Sequence, residues 1–467
     1  MSVLTGQDWK VQGVRMTPSP APMYLSEHLA PVPDEIEARD LPVSGTLPPE
    51  LTGRYFRNGP NPLPGEDPGH WFAGHGMIHG IRLRAGRAEW YRNRWVRTGR
   101  LAGRPPVGPD GRPDRTAVTA NTHVVPHAGR IMALVENGFP YLMDAELGTV
   151  GPCDFQGRLT TGMTAHPKCD PVTGELHFFG YGVRPPYLTY HRLSAAGDLV
   201  VSAEIAVPGP TMMHDFAITD RHAVFLDLPM TARPELIGRG LPFAWDDGYG
   251  ARLGVMALDR PGEVRWFPVD PCYVFHVGNA ATDPAGRIVL DVVRYAPADI
   301  VAAWGTMGRD PAGPAVDAAA TGAARLHRWT IDPARGTVAE QPLDDRSVEF
   351  PTCDDARVGR PARYLYTAAG DGAIVRYDTA TGGTTSHELG PDTVAGEAVF
   401  VPSPAAGRAE DEGWLLSIVT RRDGSASHLL VLDATDVAAG PVAAVTLPRG
   451  VPSGFHGSWI DDAEVPA

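Results

Sequence analysis

Cysteine is scarce in this chain: Cys153, Cys169, Cys272 and Cys353 stand alone among 467 residues, with no Cys-x-x-Cys pair. That spacing argues against a zinc knuckle and makes a reduced, cytoplasmic setting the expectation. Long apolar runs are missing as well. No stretch approaches the roughly eighteen apolar residues of a membrane span. The first thirty residues hold Lys10, Arg15 and several prolines but no apolar h-region, so no signal peptide is expected. Excess positive charge is also absent. The formal net charge is −14, which makes nucleic acid and anionic membrane poor partners by bulk electrostatics. The cations are nearly all arginine and are scattered, which reads as coding bias. Neither a Rossmann fingerprint nor βαβ alternation is visible.

Turn formers are abundant instead. Gly 53 and Pro 46 favour many short strands over long helices. From about residue 118, strand-like segments recur every ten to fifteen residues, among them 131–135, 175–180, 223–227, 288–295, 326–331, 373–378, 397–401 and 414–419. Asp170–Gly174, Asp332–Gly336 and Asp378–Gly382 punctuate them as turns. Residues 1–50 are proline-rich and irregular and read as an arm on a single body spanning 51–467. Two segments break the rhythm, about 230–250 and 296–322, and hold the helix-like patterns Pro297–Trp304 and Ala315–Ala324. Loops of that length are usually functional. The strand supply suits an all-β β-propeller with blades of about fifty residues, although no blade signature is visible by eye.

Four histidines stand in similar settings, each opening or closing a strand-like piece beside Gly, Pro or an aromatic: His166, His214, His276 and His456. His166 to His214 to His276 is roughly one blade per step, and His276 to His456 roughly three. One imidazole per innermost strand would aim all four at the central axis. Imidazole suits iron, copper, zinc and nickel. Glu136, Glu349 and Glu397 flank apolar strand residues and are candidate partners for the second N–H of a ligating histidine. Any one of sixteen histidines taken alone reads better as structural or surface. The i,i+4 pairs His75/His79 and His123/His127 would suggest a metal site on a helix, but their glycines, Pro126 and strand context argue against one.

Taken together, several motifs go further. Gly53-Arg-Tyr-Phe-Arg-Asn-Gly-Pro, Gly76-Met-Ile-His, Ala120-Asn-Thr, Thr164-Ala-His-Pro-Lys, Met213-His-Asp-Phe, Phe275-His, Glu349-Phe-Pro, Gly396-Glu-Ala-Val-Phe-Val-Pro and Phe455-His-Gly lie between residues 45 and 460. They resemble the carotenoid cleavage oxygenases, a family that includes apocarotenoid oxygenases, stilbene cleavers and the retinoid isomerase of the eye. The resemblance implies a seven-bladed propeller capped by a dome of loops and short helices. It implies one Fe(II) per subunit held by His166, His214, His276 and His456. Glu136, Glu349 and Glu397 match the carboxylates behind the ligands, leaving one histidine without a glutamate, and Thr122 matches a threonine that crowds an open iron position. The implied reaction is scission of a C=C bond by O2 into two carbonyl products.

Departures bear on the substrate. Ala73-Gly-His-Gly76 replaces an acidic turn common in the family. Val135 stands where stilbene and phenylpropene cleavers carry a phenol-binding lysine, and residues 99–117 hold no tyrosine to partner it. An apolar polyene, a carotenoid or apocarotenoid, is therefore expected over a hydroxystilbene. Drawing it from a membrane, micelle or carrier calls for a hydrophobic patch at a tunnel mouth. The competing readings are phenolic alkene cleavage, an isomerase or hydrolase on the same iron scaffold, and a propeller used only as a binding scaffold.

Overall fold

The strands of this chain grade from apolar to polar across each sheet. Gly76–Arg84 is buried at every position but Arg84, and Phe216–Ile218 is buried throughout. The strands at the far edges, Thr337–Pro342 and Gly383–Glu388, are largely exposed. A strand packed on both faces reads as a continuous apolar run, and an edge strand blunts pairing with polar side chains. In the computed structural model, which describes residues 22–236, 241–307 and 322–465, these gradients build a seven-bladed β-propeller.

Each blade is an antiparallel meander. In chain order, the innermost strands of the second to sixth blades are His123–His127, Lys168–Cys169, Phe216–Ile218, Tyr273–Thr282 and Val348–Thr352. Thr393–Ala395 and Val399–Pro402, both paired with Gly413–Arg421, together begin the seventh blade, and Gly457–Asp461 begins the first. Adjacent blades touch along these strands. The last strand, Gly457–Asp461, pairs antiparallel with Gly53–Pro60, near the chain start, and so closes the ring. The core lies between blades. Phe179 and Tyr190 of the third blade pack with Phe216, Ile218 and Phe225 of the fourth. Tyr55 and Ile81 of the first pack with Leu416, Ile418 and Leu429 of the seventh. The Asp-to-Gly turns form as expected: the Gly174, Gly336 and Gly382 amides donate to the carbonyls of Asp170, Asp332 and Asp378, each at 2.8 Å.

Some boundaries differ from the sequence reading. The arm at 1–50 is not irregular throughout. Glu37–Arg39 adds a strand to the outer edge of the first blade and Val43–Gly45 adds one to the seventh, because open sheet edges offer unpaired backbone groups there. The segment 230–250 contains the hairpin Met230–Ala232 with Phe243–Trp245. The helix beginning at Pro297 runs to Met307, with proline in the first helical position, where its missing N–H costs nothing. Trp304 Nε1–H donates to Phe243 O at 3.1 Å, joining helix to hairpin. The expected helix Ala315–Ala324 falls mostly outside the described residues, and Ala324 itself opens the strand Ala324–Asp332.

Candidate metal centre

Irregularity marks the innermost strands where the candidate residues sit. Tyr273–Thr282 shifts register twice, between Val274 and Val277 and between Val277 and Asn279, and His276 lies in the first of these shifts. Val348–Thr352 shifts register after Glu349, and Phe350 has φ +55°. The expected strand 397–401 is broken: Thr393–Ala395 and Val399–Pro402 flank Gly396-Glu397-Ala398. Bulges re-aim side chains and occur beside active sites. His166, His214 and His456 each stand just before an innermost strand.

These four blades bring His166, His214, His276 and His456 together. All are buried, and one ligand atom from each lies within 4.8 Å of every other. The remaining three blades supply the glutamates. Glu349 Oε2 is 2.6 Å from His276 Nδ1, Glu397 Oε1 is 2.9 Å from His456 Nδ1, and Glu136 contacts His214 Nδ1. Among the described residues no carboxylate pairs with His166. With Nδ1 engaged, Nε2 is the nitrogen left for a ligand. His166 Nε2 and His214 Nε2 face each other at 3.0 Å, and His276 Nε2 is buried without a partner. Converging lone pairs in a buried site fit a shared cation, and a neutral-imidazole set suits a first-row transition metal.

The electrostatics agree with that fit. Burial holds His166, His276 and His456 well below the ordinary histidine value, keeping them neutral. Burial acts most strongly on His214 too, but Glu136, Asp215 and Glu349 together outweigh it and leave the pKa raised. Burial pushes Glu349 and Glu397 up to about 7. The glutamates are themselves held. Tyr181 Oη–H donates to Glu136 at 2.5 Å, Tyr295 Oη–H to Glu349 at 2.8 Å, and the Gly457 amide to Glu397 at 2.6 Å. Thr122 is buried beside His456, accepting its backbone N–H at 3.3 Å, and its own hydroxyl donates to Asn121 Oδ1 at 3.0 Å.

Two supporting residues escaped the sequence reading. Asp215 is 3% exposed and touches three ligand-bearing strands. Its carboxylate pairs with Lys168 Nζ at 2.7 Å, accepts the Phe216 amide at 2.7 Å and accepts the Val277 amide at 2.8 Å. The adjacency of Asp215 to His214 was the available signal, but its cross-blade contacts have no local trace. His123 bridges the first and third blades through Ala165 O at 3.0 Å and Ser458 Oγ at 3.1 Å. The i,i+4 histidine pairs lie on or beside strands and do not form metal sites among the described residues. His75 instead meets Glu66 at 3.1 Å, and His79 meets Tyr91 Oη at 2.8 Å.

Aromatic rings wall the histidines. Phe350 lies 5.2 Å from His276 and 5.4 Å from His456 between ring centroids, and Phe275 lies 5.2 Å from His214. Phe72 joins Phe275 to Phe455 at 6.1 and 5.1 Å.

The family model described as retinal pigment epithelial membrane protein matches residues 29–461. The chain belongs to this family, the carotenoid cleavage oxygenases. It is 40% identical to the carotenoid cleavage oxygenase of Mycobacterium tuberculosis, covering 93% of this chain and 97% of that one. It is 33% identical to the carotenoid 9,10(9',10')-cleavage dioxygenase 1 of Arabidopsis thaliana, over 95% of this chain and 90% of the relative. The lignostilbene dioxygenase of Pseudomonas brassicacearum superposes with TM-score 0.83 at 30% identity, covering 95% and 100% of the two chains. Cobalt-substituted apocarotenoid oxygenase of Synechocystis superposes with TM-score 0.79 at 30% identity, covering 92% and 97%. Membership in the carotenoid cleavage oxygenases makes this chain an oxidoreductase. Among the described residues no helix is long and apolar enough to cross a membrane.

Proposed function

We propose that this protein is a non-haem Fe(II) dioxygenase that cleaves one C=C bond of a carotenoid or apocarotenoid with O2, giving two carbonyl products. The observation that carries the reading is the buried quartet His166, His214, His276 and His456, backed through Nδ1 by Glu136, Glu349 and Glu397. A scaffold has no use for such an arrangement. The four imidazoles would hold the iron, which when bound supplies O2 activation at the coordination positions they leave open.

The chain's own residues do the rest. The glutamates fix the tautomer and direction of His214, His276 and His456 by accepting each Nδ1–H. Thr122, packed behind His456, narrows access on that side. Phe72, Phe275, Phe350 and Phe455 exclude water and offer an apolar surface on which a polyene can lie. The likeness to a carotenoid cleavage oxygenase and a carotenoid cleavage dioxygenase favours a carotenoid substrate class.

Phenolic alkenes are the second reading, and the likeness to lignostilbene dioxygenase favours it. Val135 counts against it. That side chain is half-buried and packs on the cluster between the first and second blades, and it cannot donate to a phenolate. Incubating the iron-loaded protein with carotenoids, apocarotenals and hydroxystilbenes, then identifying products, decides between the readings. Paired carbonyl fragments from a polyene are expected. Cleavage of hydroxystilbenes alone would overturn the substrate assignment, and no cleavage of any alkene would overturn the reaction.

A further inference from the structure

Arg57 is a buried cation without an anion. It is 2% exposed, and among the described residues it forms no ion pair. One Nη donates to Pro452 O, while Nε is buried with no partner. Burial lowers its pKa, and the titratable side chains it interacts with, Tyr55, Tyr91 and His79, are neutral. A guanidinium removed from water without a counter-charge is costly, so such groups are normally paired or bind something.

The guanidinium lines a cavity of about 240 Å³. The walls are otherwise mainly apolar, with Leu29, Trp71, Met307, Phe350 and Ile418 among them. His28 also lines it, with a buried Nδ1 that has no partner. The lining includes Met23, which is 56% exposed at the surface, and Phe350, whose ring lies against His276 and His456. Gly454 keeps the guanidinium in place, since a Cβ there would lie 2.9 Å from Arg57 Nε and 2.7 Å from Asn58 O.

We propose that this cavity binds the carboxylate end of an oxidised, shortened polyene, with the Arg57 guanidinium as its hydrogen-bond donor. The proposal rests on the polyene-cleavage function above and specifies the end group of the substrate. A carboxylate neutralises the buried charge and matches the guanidinium's donor fork. The apolar walls take the adjoining hydrocarbon, and the rest of the chain runs past Phe350 toward the four histidines. An apocarotenoic acid is therefore preferred over the alcohol or the hydrocarbon.

Binding to metal-free protein separates this inference from the proposed reaction. The probes are 8′-apocarotenoic acid and 8′-apocarotenol, followed by quenching of tryptophan emission. A hydrogen bond to a charged group predicts about ten- to a hundredfold tighter binding of the acid. Arg57→Met should bring the two dissociation constants together. Equal constants in the wild type, or an acid preference surviving in a folded Arg57→Met protein, overturn the proposal. If Arg57→Met does not fold, Leu29→Trp fills the cavity and should weaken acid binding. Unchanged acid affinity in that variant also overturns it. Turnover of either probe by iron-loaded wild type tests the polyene-cleavage reading on its own, whatever the ratio of affinities.

Discussion

His276 Nδ1 and Glu349 Oε2 lie 2.6 Å apart although they belong to neighbouring blades. The same carboxylate accepts the Phe350 amide at 2.9 Å and, through Oε1, the Tyr295 hydroxyl at 2.8 Å. The ring is thus oriented by a group that is itself held by two further hydrogen bonds. Glu349→Gln keeps the shape and removes the charge. Metal affinity or turnover should fall by roughly ten- to a hundredfold. Iron content after dialysis and kcat measure it, and an unaltered variant would reduce Glu349 to a structural role.

Removing a histidine acts on the metal directly. Each of His166→Ala, His214→Ala, His276→Ala and His456→Ala should lower bound iron and nearly abolish cleavage. Stripping the wild type with a chelator should do the same, with activity restored by Fe(II). Full iron content and turnover in His276→Ala would take that residue out of the site.

Asp215 should matter without touching a ligand atom. Its carboxylate ties Lys168, Phe216 and Val277, each within two residues of a candidate ligand, into one frame. Asp215→Asn leaves Lys168 without its counter-charge. Breaking a buried pair costs about 3–5 kcal/mol, and thermal unfolding should show a large share of it. The spectrum of a cobalt-loaded sample should shift as the ligands lose their alignment. A wild-type cobalt spectrum would confine Asp215 to stability.

Val135 tests the substrate class. A phenol entering beside it loses water without gaining a donor, a penalty of about 1–3 kcal/mol, or about one to two factors of ten in kcat/KM. Wild type should therefore cleave a carotenoid or apocarotenoid faster than resveratrol or an isoeugenol-like phenol. Val135→Lys should raise the phenol-to-polyene ratio, and only in part, because residues 99–117 supply no tyrosine. A wild type that cleaves hydroxystilbenes efficiently and no polyene would contradict this directly.

Residue type and spacing were local information, and the sequence by itself carried them. Apolar runs bounded by Asp-to-Gly turns announced short antiparallel strands, because alternation and turn chemistry act over a few residues. His166, His214 and His276 at near-regular intervals announced one imidazole per blade, and the glutamate motifs marked their partners. Tertiary structure alone decided which groups meet. Closure of the ring by Gly457–Asp461 against Gly53–Pro60 sets His456 beside residues far away in the chain. Register shifts at His276 and Glu349, and the strand break at Glu397, aim the side chains. Asp215, His123 and Arg57 owe their roles to cross-blade packing, which leaves no pattern in neighbouring residues. Pairing between blades fixes register and burial non-locally, so a sequence window shows that a residue is available but not what it faces.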